Sequence, residues 1–400
     1  MPTTELILPT FKGRPGWEFT DISALDPARF GAAPAVAPGE LTQPAETLLA
    51  APEGATQLLQ VDGSWTDGIA VEDGPVVMPL SVALERHPEL VEPHLGTVVP
   101  ADTDGFTQVN AQEWAGGAFV FVPRGIQVEQ PIVLTTVSSA AQTVMQRRVL
   151  VVLEEGAEAE VWEQHLSGDG ESETMLNTAV ELVVGQNARL RYVCAQDLNE
   201  KSWIFGSQRA EVARDGHLEW IALGFGSARG RVRMETMLGG EGAEGKVTGA
   251  YAPHARQHVE FDTTQEHAAP NTTSDLAFRG ILGDRSTAVW RGMIKVDPGA
   301  QSTDAFQECR NLLLTPRAHV DAIPGLEILA NDVRCTHAAA IAQLDRDQLF
   351  YLRTRGLPEG QATRLVIEGF MQELLERFPE GTLRESIAEA LERRLSLVLG

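Results

Sequence analysis

The chain has 400 residues, 43% of them hydrophobic, and a formal net charge of −24 at pH 7. A chain of this size can bury a substantial core, and its negative charge argues against binding to nucleic acid, which is itself a polyanion. No apolar stretch is long enough to span a membrane and no export signal opens the chain, so the sequence predicts a cytoplasmic protein. Its cysteines are odd in number, which predicts free thiols rather than a disulfide framework.

Residues 1–100 predict an N-terminal region of mixed structure with short helices. Prolines and glycines recur there among short apolar pieces, as at 34–44 and 61–80. Short helices are expected at 44–50 and 81–90. This first unit is therefore expected to be irregular.

Residues 101–344 predict a mainly β core built of short strands. Several runs alternate strictly between apolar and polar residues, which is typical of strands with one buried face. The clearest run places Val232, Met234, Thr236 and Leu238 on the same face. Each such strand is expected to present one face to the core and the other to water.

Glycine-centred turns introduce successive strands at intervals of roughly thirty residues. This spacing favours a coil in which each turn stacks on the one before, as in a parallel β-helix. A jelly roll or a sandwich stays open as the alternative, because strand periodicity alone does not fix topology. The turn glycines are Gly156, Gly185, Gly216 and Gly242.

The apolar period changes from two to about 3.6 after Leu344, which predicts a helical C-terminal region at 345–400. Asp345 and Gln348 resemble a capping box that starts a first helix, and Gly356 and Pro358 end it. Two further helices with apolar faces follow. Those faces would pack against the β core or leave a surface for a partner.

The sequence contains no glycine-rich phosphate loop and no serine at the spacing of a nucleophile elbow. Its most suggestive pair is Cys335 and His337, which are two residues apart on a predicted strand and so share a face. A thiolate and an imidazole suit iron or zinc, and two ligands from one strand indicate an open or shared site. A structural cysteine beside a hydrogen-bonded histidine explains the same pair without a metal.

Several segments, in order along the chain, resemble the SufB/SufD family of iron-sulfur cluster assembly proteins. They include HAAPNTTSD at 267–275, WRGMIKV at 290–296 and DQLFYLRTRG at 347–356. Within the family, IPGLEI at 323–328 and VRCTH at 333–337 are more similar to SufD than to SufB. The resemblance covers most of the chain.

The resemblance implies a right-handed parallel β-helix flanked by an N-terminal mixed region and a C-terminal helical region. It also implies a non-catalytic scaffold subunit with two partners, a SufB-like subunit and a SufC-like ATPase. A transient iron-sulfur cluster would be shared with the SufB-like subunit, and this chain alone would bind none permanently. In isolation the chain is a candidate homodimer.

The resemblance assigns roles to particular residues as well. His337 is the expected cluster ligand or interface group, and Cys335 matches a neighbouring cysteine of the family. The C-terminal region 345–400 is expected to bind the SufC-like ATPase. Its candidate contact residues are Leu349, Phe350, Leu365, Phe370 and Leu374.

Two other functions stay open. The chain could be a purely structural partner of the SufB-like and SufC-like subunits, with His337 only filling the interface. It could also be a carbohydrate-active β-helix enzyme, because such a fold can display acidic residues along one groove and acids are plentiful here.

Overall fold

A computed structural model describes residues 16–37, 47–66, 69–70, 74–168 and 171–399, with residues 69–70 described by their backbone only. These residues form strands β1 to β21 and helices α1 to α6, with a short 3₁₀ turn at Pro27–Arg29. The helices are α1 (Leu80–Arg86), α2 (Pro88–Val91), α3 (Gly105–Glu113), α4 (Arg346–Thr354), α5 (Glu359–Leu375) and α6 (Thr382–Leu399).

The strands run from the N-terminal region to the last turn before α4. The first seven are β1 (Gly31–Ala32), β2 (Thr56–Val61), β3 (Ser64–Trp65), β4 (Ile69–Ala70), β5 (Val76–Pro79), β6 (Ala118–Val122) and β7 (Ile132–Ser138). The next seven are β8 (Thr143–Leu153), β9 (Glu158–Ser167), β10 (Thr174–Val184), β11 (Arg189–Asp197), β12 (Trp203–Val212), β13 (His217–Gly224) and β14 (Arg229–Leu238). The last seven are β15 (Glu244–Tyr251), β16 (His258–His267), β17 (Thr273–Leu282), β18 (Thr287–Val296), β19 (Thr303–Leu313), β20 (His319–Ile328) and β21 (Val333–Gln343).

The strands form a parallel β-solenoid of two facing sheets. Even-numbered strands from β6 to β20 lie side by side in sheet A, and odd-numbered strands from β7 to β21 lie side by side in sheet B. Each turn of the solenoid therefore adds one strand to each sheet, about eight turns in all. The predicted parallel β-helix is confirmed, and the jelly-roll and sandwich alternatives are wrong because neighbouring strands of the coil pair in parallel.

The interior of the solenoid is the main core. Val149 on β8 pairs with Val180 on β10, and both are fully buried. The alternation predicted around 232–238 is confirmed, since Val232, Met234, Thr236 and Leu238 are all buried. Burial of such columns supplies roughly 25 cal/mol for each Å² of apolar surface removed from water.

Some turns between strands need glycine for a local reason. Gly242 has a φ of +73°, a conformation that other residues adopt only with strain. A Cβ on Gly185 would lie 2.6 Å from the carbonyl oxygen of Leu153 in the turn below. Both predicted turn glycines therefore allow successive turns to stack closely.

Helices α5 and α6 of the C-terminal region pack on the outer face of sheet B. Asp345 caps α4 as expected, because its side chain accepts hydrogen bonds from the backbone N–H groups of Asp347 and Gln348. Apolar residues of α5 and α6, such as Ile367 and Ile387, form one buried cluster with outward-facing residues of sheet B, such as Trp162 and Ile281. The helices thus lie along the solenoid rather than beyond its end.

An N-terminal segment lies on the outer face of sheet A. Trp17 stacks on Phe106, with ring centroids 5.4 Å apart, and the guanidinium of Arg231 lies 4.5 Å from the centre of the Trp17 ring. Thr20 is fully buried and donates a hydrogen bond to Glu260. Within the described ranges, no helix has both the length and the apolar character needed to cross a membrane.

We predict that the fold loses stability as the pH falls from 7 towards 4. Burial lowers the pKa of His258 and of His267 to about 4, whereas an unfolded histidine titrates near pH 6.5. The unfolded chain therefore takes up protons in this window that the folded chain does not. Each histidine lowers the free energy of unfolding by at most about 1.4 kcal/mol per pH unit.

Urea unfolding at pH 7, 6 and 5 measures this slope. A His267→Gln variant can still hydrogen-bond to Thr272 and Ser274 but does not titrate, so its slope should be shallower. The matched control is His319→Gln, since His319 is exposed. Equal slopes in the wild type and the His267→Gln variant would contradict the prediction.

Candidate functional site

The last turn of the solenoid, formed by β20 and β21, carries the predicted metal ligands. Cys335 pairs with Ala305 of β19 and His337 pairs with Gln307, so both side chains continue the inward-facing columns of sheet B. Among the described residues, no later strand pairs with β20 or β21. The inward face of this turn is therefore not covered by another turn.

Exposure of apolar side chains marks this end as incomplete. Ile328 on β20 is 39% exposed and Ile341 on β21 is 50% exposed, although both stand in columns that are buried in earlier turns. Unpaired strand edges and exposed apolar patches are the features of a surface that another chain covers. We call the exposed face of β20 and β21 the open end.

Cys335 and His337 differ in exposure at the open end. Cys335 is half-buried and packs against a small apolar cluster that contains Ile294 and Ala305, whereas His337 is exposed. Partial burial raises the pKa of the Cys335 thiol, and the nearby Asp304 carboxylate raises it further. Metal binding at Cys335 would therefore have to displace a proton.

The five candidate contact residues of the C-terminal helices lie in different surroundings. Phe350 on α4 is 68% exposed and Leu365 on α5 is 50% exposed, so both are accessible to a partner. Leu349 and Phe370 are half-buried. Leu374 is buried against sheet B and stabilises the chain itself.

Sequence reasoning missed a second group of metal-ligand types inside the solenoid. Glu163 and His165 on β9 and Cys194 on β11 offer ligand atoms that all lie within 4.8 Å of one another. Arg147 forms a buried ion pair with Glu163, and the hydroxyl of Tyr192 donates to the same carboxylate. We call Arg147, Glu163, His165, Tyr192 and Cys194 the interior polar cluster.

Burial controls the protonation of the interior polar cluster. Burial lowers the pKa of His165 to about 4, so the imidazole is neutral at pH 7, and neither ring nitrogen has a hydrogen-bond partner within the described residues. Burial also raises the pKa of the Cys194 thiol, and the Glu163 carboxylate adds to this effect. For Glu163, burial is the largest influence and raises the pKa, but the Arg147 guanidinium, His165 and the Tyr192 hydroxyl together lower the pKa below its usual value.

The interior polar cluster has the thiol, imidazole and carboxylate groups that bind zinc or ferrous iron. Glu163 is already bonded through both oxygens, so a metal would have to share this carboxylate with Arg147 and Tyr192. The sequence signal was limited to the strand spacing of Glu163 and His165, because only the strand register shows that Cys194 lies one turn above Glu163.

Comparisons with known proteins decide the family. The model of the SufBD core domain of the SUF iron-sulfur cluster assembly system matches residues 135–370, more than half of the chain. The chain belongs to the SufB/SufD family. The model of the SufBD N-terminal region matches residues 56–134 as well. The resemblance found in the sequence is therefore confirmed, and the chain is an iron-sulfur cluster assembly protein of this family.

Relatives in the SufB/SufD family include proteins from three bacteria. The chain is 29% identical to the iron-sulfur cluster assembly protein SufD of Bacillus subtilis over 81% of its own length and 75% of that protein. It is 27% identical to a SufBD family protein of Staphylococcus saprophyticus over 77% and 66%, respectively. It is 28% identical to one of Synechocystis sp. over 82% and 69%.

We predict that Cys335 is the most reactive thiol of the folded protein. Cys309 is fully buried and burial raises its pKa to about 11, while the thiol of Cys194 faces the solenoid interior and has a raised pKa. A maleimide reagent at pH 7.5 should label one thiol quickly and the other two only after denaturation, as counted by mass spectrometry.

The Cys335→Ser variant is the control for this labelling. It should lose the fast phase and keep the two thiols that appear on denaturation. Fast labelling that persists in Cys335→Ser would show that an interior cysteine is accessible and would contradict the assignment.

Proposed function

We propose that this SufB/SufD family member is the SufD-like, non-catalytic subunit of a SufB–SufC–SufD scaffold. In this role it helps to build nascent iron-sulfur clusters where it meets the SufB-like subunit and to pass them on. The single observation that carries the proposal is the open end, which exposes apolar core residues beside Cys335 and His337. Family membership supports cluster assembly over a carbohydrate-active enzyme.

The open end is the proposed contact with the SufB-like subunit. Strands β20 and β21 offer unpaired edges, and Ile328 and Ile341 offer apolar surface that water solvates poorly. A second solenoid that paired with these strand edges would remove the edges and the apolar surface from water. A second copy of this chain could use the same surface, which would give a homodimer in isolation.

His337 and Cys335 are the proposed ligands of the nascent cluster, which is cargo of the complex. Both stand two residues apart on β21 and continue inward-facing columns, so they face the same space. Two ligands from one chain leave coordination positions for the partner subunit. The half-buried thiol would release its proton when iron binds, so assembly should weaken as the pH falls.

The C-terminal region 345–400 is the proposed binding site of the SufC-like ATPase. Helix α4 begins three residues after the end of β21, so a force on α4 acts directly on the open end. Closure of the ATPase would move this region and open the interface that holds Cys335 and His337. The chain would thus transmit motion and supply ligands, while ATP hydrolysis belongs to the partner.

We predict that His337→Ala abolishes most of the cluster chromophore without loss of the complex. The exposed imidazole makes no hydrogen bond with the described residues, so its removal should leave folding intact. The measurement is anaerobic reconstitution of the co-expressed three-subunit complex with iron and sulfide, followed by absorption spectroscopy. Size-exclusion chromatography checks that the complex is intact.

The control is His319→Ala, which removes another exposed histidine from the same terminal turn. It should assemble clusters as the wild type does. A normal chromophore in the His337→Ala complex would favour a purely structural role for this chain. Equal losses in both variants would point to a general defect of the turn.

We predict that Phe350→Ala and Leu365→Ala each weaken binding of the SufC-like ATPase at least tenfold. Both side chains are largely exposed, so truncation removes contact area for a partner while leaving the fold intact. Calorimetry with the purified ATPase measures the affinity, and circular dichroism measures folding.

Leu397→Ala is the matched control, because Leu397 is 60% exposed on α6 but lies outside the proposed contact set. It should bind the ATPase normally. If all three variants bind as the wild type does, the contact lies elsewhere on the chain.

Leu374→Ala should instead destabilise the protein, by about 2 to 5 kcal/mol, because it opens a cavity against sheet B.

A further inference from the structure

One corner of the solenoid carries an arginine at the same position of three successive turns. Arg256, Arg285 and Arg317 each precede a strand by two residues, and the first residues of β16, β18 and β20 are register partners. Neighbouring strands lie about 4.8 Å apart, so these arginines stack one turn apart. Arg229 begins β14, one turn earlier. We call these four residues the arginine ladder.

The arginine ladder has no carboxylate partners. Within the part of the chain that the structure describes, none of its four guanidinium groups lies within 4.0 Å of an acidic oxygen. Arg256, Arg285 and Arg317 are exposed, and Arg229 donates one hydrogen bond to the carbonyl oxygen of Asp21. The guanidinium groups at this corner are therefore not held in ion pairs by the described residues.

Elsewhere the solenoid alternates charge between turns. On sheet B, Arg191 lies between Glu160 and Glu219 of the neighbouring turns, 2.6 Å from each carboxylate. Lys246 then follows in the next turn, 3.2 Å from Glu219. Opposite charges on adjacent strands attract, whereas like charges repel. The arginine ladder departs from this pattern in a chain whose net charge of −24 supplies many acids.

The arginine ladder lines an open cavity of about 540 Å³, a size that suits a small molecule. Two carboxylates also border the cavity, but both are engaged. Glu200 lies 2.9 Å from the imidazole Nε2 of His254, and Asp284 accepts a hydrogen bond from the backbone N–H of Ala255. The cavity therefore has four guanidinium groups against two carboxylates, and none of the guanidinium groups is held in an ion pair with the described residues.

We propose that the arginine ladder binds a compact oligophosphate anion, of which pyrophosphate is the simplest. Guanidinium groups match phosphate oxygens with paired hydrogen bonds, and stacked groups suit a ligand with more than one phosphate. The cavity is lined by arginine, acidic, alanine and glutamine side chains, with no aromatic ring on which a nucleobase could stack. The phosphates, whether free or part of a nucleotide, are the recognised group.

The first test is calorimetric titration of the isolated full-length chain with pyrophosphate at low ionic strength. Arg285 is the middle rung of the three that stack, so Arg285→Gln should weaken binding at least tenfold, whereas Arg285→Lys should bind with intermediate affinity. The control is Arg124→Gln, which removes the same charge from an exposed arginine that pairs with Glu155 in the first turns. Equal weakening by Arg285→Gln and Arg124→Gln, or no saturable binding, would overturn the proposal.

A second set of titrations separates the possible sources of phosphate. Orthophosphate should bind more weakly than pyrophosphate, ATP should bind like tripolyphosphate, and adenosine should not bind. Binding of adenosine alone would overturn the assignment to phosphate. No partner subunit is present in these measurements, so their outcome is independent of the role in cluster assembly.

The melting temperature of ligand-free Arg285→Gln tests whether Arg285 stabilises the fold. Arg285→Gln removes repulsion between like charges, so it should melt no lower than the wild type. Pyrophosphate should raise the melting temperature of the wild type but not that of Arg285→Gln. A lower melting temperature of the ligand-free variant would show that Arg285 has a structural role instead.

Discussion

The parallel hydrogen bonding of each turn to the next determines the rest of this structure. From β8 to β21 the strands of each sheet pair without a break in register. Residues that are about thirty positions apart in the sequence therefore become neighbours, and each kind of side chain forms a column along the solenoid. The apolar columns make the core, alternating charges stabilise one outer face, and three arginines of the arginine ladder form a column of a single charge.

A stack of turns must end, and the two ends of this one differ. At the N-terminal end, the antiparallel strands β3, β4 and β5 and the helices α1 to α3 surround the first turns. At the C-terminal end, β20 and β21 expose residues that would be core in any earlier turn. The family's role in iron-sulfur cluster assembly is thus matched by a surface whose exposure costs stability unless a partner covers it.

Local patterns in the sequence were sufficient to predict much of this architecture. Alternation predicted the buried face of β14, the Asp345 cap predicted the start of α4, and strand spacing predicted that Cys335 and His337 share a face. The interior polar cluster and the arginine ladder were not predicted, because both depend on which residues stack across turns. The lengths of the turns vary, so this alignment cannot be counted from the sequence alone.

The side of a helix that stays accessible was also beyond prediction. Leu374 and Leu365 both belong to the apolar pattern of α5, but Leu374 packs against sheet B and Leu365 stays exposed. The pattern records only that both are apolar. Which apolar side chain of α5 becomes buried depends on which side of the helix meets the outer face of sheet B.

The position of α5 and α6 has a mechanical consequence for the whole chain. In a simple solenoid each turn contacts only its neighbours, so an end can fray without the rest. Here the helices belong to one apolar cluster with outward-facing residues from β7 to β19, and Arg393 on α6 donates a hydrogen bond to the carbonyl oxygen of Leu48 near the other end of the chain. The helices connect many turns of the solenoid. A force applied to the C-terminal region is therefore distributed over these turns, and early and late turns should unfold together.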